Sequence, residues 1–100
     1  MKSKEFIHSR ISDPDLNGEW LASQNNLSRS QYSRKLKALT NCSITQFINL
    51  ERLKLAEKLL SDGDLNVSEI AFEVGFSDPA YFSRVFSKEY GVAPKNYIRL

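Results

Sequence analysis

One hundred residues, 41% of them hydrophobic, suffice for one domain or two very small units, each with a marginally stable core. The net charge of +2 argues little by itself, and a single cysteine, Cys42, excludes an intrachain disulfide and a Cys-x-x-Cys metal site. No apolar run approaches the ~20 residues of a spanning helix and no signal-peptide pattern opens the chain, so a reduced, cytoplasmic setting is expected.

A short helix is expected near residues 4–11, with His8 on its surface. The stretch "NGEWLASQNNLS" (17–28) then puts Leu21 and Ala22 on a helix that ends at Asn26, a residue type that tolerates the left-handed region. Ser28 and Gln31 form a capping box for the next helix. Tyr32, Leu36 and Leu39 are its expected buried seam, and Asn41 closes it. Arg29, Arg34, Lys35 and Lys37 crowd residues 28–39, which hold no acid. Such a patch is a footprint for a polyanion, and the competing explanation is a solvated helix face.

The segment "SITQFINLERLKLAEKLLSDG" (43–63) opens with a second capping box, Ser43 and Gln46, and stops at Gly63. Phe47, Ile48, Leu53, Ala56, Leu59 and Leu60 give it a broad apolar face, as expected of a strut between two units. Its Arg52, Lys54 and Lys58 are expected as solvent charges, Arg52 with a phosphate in reach.

Val67, Ile70, Ala71 and Val74 then recur at helical spacing, and Gly75 supplies a left-handed residue. Asp78 is placed to cap a further helix with Pro79 at its first position. Phe82, Phe86 and Tyr90 form its seam, and Gly91 closes it. A last helix is expected near 94–99, after Pro94. The fold class is all-α, about seven helices.

The chain repeats itself. Asn17 falls on Asn66, Leu21-Ala22 on Ile70-Ala71 and Ser28 on Ser77; one extra turn residue later, "YSRKL" (32–36) falls on "FSRVF" (82–86). Internal repetition sets the architecture. Here it gives two copies of helix, tight turn, helix, so the expected divisions are 1–42, 43–62 and 63–100. Gly18 and Asn25 stand where the second copy has Val67 and Val74, so the first copy is expected to bury less and to be the looser half.

Two helices joined by a tight turn, with a small alanine where they cross, describe a helix-turn-helix, whose second helix enters the DNA major groove. At about 100° per residue, the face opposite Tyr32, Leu36 and Leu39 holds Ser30, Arg34 and Lys37, flanked by Ser33. The second copy likewise exposes Ala80, Ser83, Arg84 and Ser87, with Pro79 at the edge. Arginine donates two hydrogen bonds to guanine, serine takes either role and alanine meets a thymine methyl. Lysines and flanking polar groups suit phosphates, as does each helix N-terminus.

These residues resemble the DNA-binding domain of AraC/XylS-type transcription regulators over nearly the whole chain. The most specific piece is "IAFEVGFSDPAYFSRVFSKEYGVAPKNY" (70–97). "RLKLAEKLL" (52–60) is similar to that family's linker helix and "LSRSQYSRKLKALT" (27–40) to its first recognition helix. The resemblance implies double-stranded DNA as partner, two recognition helices in successive major grooves, and RNA polymerase as a further contact of one unit. Carried over, the base-reading positions are Ser30, Ser33, Arg34, Pro79, Ala80, Ser83 and Arg84. From charge and position, the expected phosphate contacts are Arg29, Lys35, Lys37, Arg52, Ser87 and Lys88. Gly18, Asn25, Asn26 and Asn41 depart from the family's usual apolar or glycine residues. The wording "RKLKALT" (34–40) is most like the output domains of hybrid two-component sensor-regulators. That implies a C-terminal fragment, monomeric alone and dimeric through a missing N-terminal region, in a chain that is membrane-anchored if it is a hybrid sensor.

Two other classes compete. Catalysis has the least support: His8 and Cys42 are the only residues of their kinds and lack triad spacing, and no cofactor or metal is expected. Cys42 reads as a small packing residue. A helical module that binds proteins without reading DNA is the stronger rival, because the second copy's outward face sets only Arg84 and Lys88 against Glu89.

Overall fold

The computed structural model describes residues 2–97. Seven helices account for its regular structure, and there is no strand among the described residues: α1 (Ser3–Ser9), α2 (Gly18–Gln24), α3 (Arg29–Thr40), α4 (Ile44–Asp62), α5 (Val67–Glu73), α6 (Pro79–Tyr90) and α7 (Pro94–Tyr97). The helix expected near 94–99 is present through Tyr97, and the rest of that span lies outside the described residues. The chain divides between Glu51 and Arg52 into two compact units, so the unbroken α4 gives its first turns to one and its later turns to the other. No described helix is long and apolar enough to cross a membrane.

Local chemistry sets the helix ends. Ser28 and Gln31 form the reciprocal capping box at α3, and Ser43 and Gln46 do the same before α4. Asn66 and Glu69 make a third box at α5, led by an asparagine where the other two are led by serine. The turns that follow α2 and α5 are the same object. After α2, Asn26 N–H donates to the Ser23 carbonyl and Leu27 N–H to that of Ala22. After α5, Gly75 donates to Phe72 and Phe76 to Ala71. Both are Schellman closures. They need a positive φ, which Asn26 supplies at 57° and Gly75 at 100°.

In the first unit Ile7, Leu21, Ala22, Tyr32, Leu36, Ile44 and Ile48 are buried. The Tyr32 hydroxyl donates to Ser3 Oγ at 2.9 Å inside this core, which ties α1 to α3 and satisfies both polar groups. His8 is exposed as expected, and its Nε2 lies 3.7 Å from the carboxylate of Glu51, an acid whose burial has no signal in the sequence.

Two expectations for this unit are corrected. Leu39 is not in the seam: it is 67% exposed, because it sits in the last turn of α3 where nothing packs over it. It borders an open groove with Leu36, Phe47 and Lys4 instead. Gly18 is not simply a missing apolar contact. A Cβ there would stand 2.9 Å from Ile44 Cδ1 and 3.3 Å from Arg29 Nε, so the absence of a side chain lets the start of α4 approach α2. Gly18→Val, which installs the second copy's residue, should therefore destabilise the fold by about 1–3 kcal/mol through overpacking. Thermal melts check this; a stabilised variant would mean that Gly18 is only a gap.

In the second unit Leu53, Ala56, Leu60, Ile70, Ala71, Val74, Phe76, Phe82 and Phe86 form the core. Aromatic rings run through it: Phe76 to Phe82 at 5.2 Å, Phe82 to Phe86 at 5.7 Å, Phe86 to Tyr90 at 4.6 Å and Phe86 to Tyr97 at 5.5 Å. Tilted and edge-on geometries like these add to the burial of each ring. Glu57 closes the end of the stack, where its carboxylate accepts hydrogen bonds from the Tyr90 and Tyr97 hydroxyls.

Those two bonds, Tyr90's first, hold the Glu57 carboxyl below its ordinary range against the opposing effect of burial. Burial, then Glu57, pushes the Tyr90 phenol up, and the bond to Glu57 pushes Tyr97 up. A lowered carboxyl stabilises the fold above its unfolded pKa, and this is lost as pH falls through the folded value. The raised phenols stabilise it below their ordinary 10.0, and this is lost as pH rises through their folded values. Glu57→Gln should thus lower the melting temperature at neutral pH, with the two proteins converging as acid protonates Glu57. A constant difference down to acid pH would show that the carboxylate charge contributes nothing.

Candidate nucleic-acid interface

Each unit presents the outward face of its second helix. On α3 the seam residues Tyr32 and Leu36 are fully buried, which turns Arg29, Ser30, Arg34, Lys35 and Lys37 into solvent and leaves Ser33 half-buried at the edge. On α6 burial of Phe82 and Phe86 exposes Ala80, Arg84 and Lys88, with Pro79, Ser83 and Ser87 half-buried. The Asp78 side chain caps α6 by accepting from Ala80 N–H at 2.9 Å, so Pro79 occupies the first turn without an unmet donor.

Local bonds distinguish the cations. Lys37 Nζ donates to the Asn41 carbonyl at 3.2 Å, which satisfies the end of α3 while leaving the ammonium at the surface. The Arg84 guanidinium lies 5.8 Å from the centroid of the Tyr81 ring. Tyr81, 37% exposed, is absent from the expected site residues, although its place three residues before Arg84 on a helix is the signal that finds it.

Arg52 is the correction. It is neither a solvent charge nor a phosphate contact: it is 6% exposed, with its guanidinium 5.8 Å over the Phe76 ring. The second unit's core recruits it, with its guanidinium within cation–π reach of an aromatic ring. α3 therefore exposes four cations and α6 only Arg84 and Lys88, with Glu89 beside them. The two faces are chemically unequal.

Residues 21–100 match the model of a family described as "Helix-turn-helix domain". The chain belongs to this family, in its AraC/XylS type. It is 41% identical over 71 residues to histidine kinase P4 of Formosa agariphila, covering 71% of this chain and 5% of that one. It is 35% identical over 94 residues to the Msm operon regulatory protein of Streptococcus mutans, covering 94% of this chain and 34% of the relative. The C-terminal domain of AraT, a response regulator from Geobacillus stearothermophilus, superposes with a TM-score of 0.88 at 33% identity, over 98% of this chain and 81% of that one. The chain thus spans a small part of the kinase and 34% of the operon regulator, while it covers most of the isolated domain. Family membership makes it a DNA-binding domain of the kind that serves transcription regulation.

Proposed function

We propose that the chain reads duplex DNA through α3 and α6 in successive major-groove segments, as the DNA-binding part of a longer regulator. The observation that carries this is the duplicated unit itself: one Schellman turn, one capped second helix and one outward Ser-Arg pair, built twice. Ser30, Ser33 and Arg34 then face bases in one segment, and Pro79, Ala80, Ser83 and Arg84 in the other. Arg29, Lys35, Lys37, Ser87 and Lys88 meet phosphates.

Selection from randomised duplexes with three variants tests the assignment. Arg34→Ala should weaken specific binding by about 1–3 kcal/mol and relax preference within one half of the site. Arg84→Ala should relax the other half, roughly one helical turn away. Lys37→Ala should weaken all sequences alike. Uniform losses for both Arg34→Ala and Lys37→Ala would make Arg34 a phosphate clamp.

The likeness to a histidine kinase and to a response-regulator domain supports a place at the output end of a two-component protein. Such a protein acts in the cytoplasm, at DNA, and dimerises through other parts of its chain. Contact of one unit with RNA polymerase while bound to DNA is part of the same proposal.

A further inference from the structure

The two outward arginines are held differently. Register aligns Tyr32 with Phe82 and Arg34 with Arg84, so the counterpart of Tyr81 is Gln31. Gln31 is occupied in the capping box, where its side-chain oxygen accepts from Ser28 N–H at 2.9 Å. At α6 the side-chain cap comes from Asp78, and the ring of Tyr81 lies under the Arg84 guanidinium.

That ring is itself anchored. Tyr81 stands 6.0 Å from Phe76, which is buried, 5.2 Å from Phe82 and covered on its own account by Arg52 at 5.8 Å. A chain of contacts from Arg52 through Phe76 and Tyr81 to Arg84 therefore runs from the core of the second unit to its outward face. An aromatic ring attracts a guanidinium without supplying a hydrogen-bond acceptor, so an arginine held over a ring keeps N–H donors available for a base. Ordering a long side chain on binding costs conformational entropy, and a side chain already restricted loses less.

We propose that Tyr81 is a positioning residue for Arg84. It holds the guanidinium over its ring before DNA arrives, so the charge-poor second unit reads its base with a pre-ordered arginine. Arg34, with Gln31 in the corresponding place, is ordered on binding. This role rests on the proposed reading of DNA by α6 and adds to it a specificity-determining residue that touches no base.

The test uses Tyr81→Phe, Tyr81→Leu and Arg84→Ala, with melts to establish that each folds. In the free protein, ring-current shifts of the Arg84 side-chain protons should persist in Tyr81→Phe and vanish in Tyr81→Leu. With DNA, the readout is the affinity ratio between the selected site and one altered at the base pair where Arg84→Ala relaxes preference. Tyr81→Leu should reduce that ratio on the order of two- to fivefold, the range of an exposed cation–π contact. Tyr81→Phe should preserve it, and Tyr81→Leu should add nothing in an Arg84→Ala background.

Unchanged Arg84 shifts in Tyr81→Leu overturn the proposal. So does an equal loss in Tyr81→Phe, which would put the effect on the hydroxyl and not on the ring. If a site is selected and Arg84→Ala relaxes it but Tyr81→Leu does not, positioning fails while DNA reading stands. If the shifts behave as expected and no sequence is selected, the DNA-binding reading fails, and Tyr81's role in readout with it.

Discussion

Raising salt from about 50 to about 200 mM should weaken the complex with duplex DNA on the order of 10²–10³-fold. The cations that remain exposed on the two second helices are Arg29, Arg34, Lys35, Lys37, Arg84 and Lys88. If roughly four to six phosphates are neutralised, log K falls with log salt at a slope of about −4 to −5, because each contact releases condensed counterions. The slope should divide unevenly. Removing Lys35 or Lys37 on α3 should each reduce it by about 1. Arg52→Ala should not reduce it, because that side chain is inside the second unit. A gel-shift series on random and selected duplexes measures this. A slope near zero would favour the rival reading, a helical module that binds proteins.

Phe86→Ala should cost about 3–5 kcal/mol, the largest stability loss expected of a single substitution in the second unit. Phe86 is fully buried and meets the rings of Phe82, Tyr90 and Tyr97, so its removal leaves a cavity among side chains already locked by one another. Stability in a domain of this size is on the order of 5–15 kcal/mol, so much of it would be lost. Ser83→Ala, on the outward side of the same helix, should stay within about 0.5 kcal/mol. Chemical denaturation of the two variants separates core from interface. Equal losses would mean that the faces of α6 are assigned the wrong way round.

The helix ends and the duplication are legible in the amino-acid sequence, and for a physical reason. Caps and Schellman turns are closed by hydrogen bonds between residues a few positions apart, so their signals lie in short stretches such as Ser28 to Gln31 or Asp78-Pro79. The seam of α6 is legible too, since aromatics at four-residue steps can share only one side of a helix. From these follow the two units and the outward positions of Arg34 and Arg84.

What packs on what is not legible in the same way. Leu39 has the spacing of a seam residue and is exposed, because helical period fixes a direction and not the presence of a neighbour. Arg52 has the composition of a surface charge and is buried, because the ring it covers lies 24 positions along the chain, on Phe76. Gly18 reads as a gap in a helical pattern, and in the fold it is the point where Ile44 comes close. Glu57 meets Tyr97 across 40 positions. The sequence alone determined the helices, their ends and which face of each recognition helix turns outward, since those follow from local bonds and periodicity. Only the tertiary structure decided which charges remain for DNA and what steadies Arg84, because those depend on contacts between residues far apart in the chain.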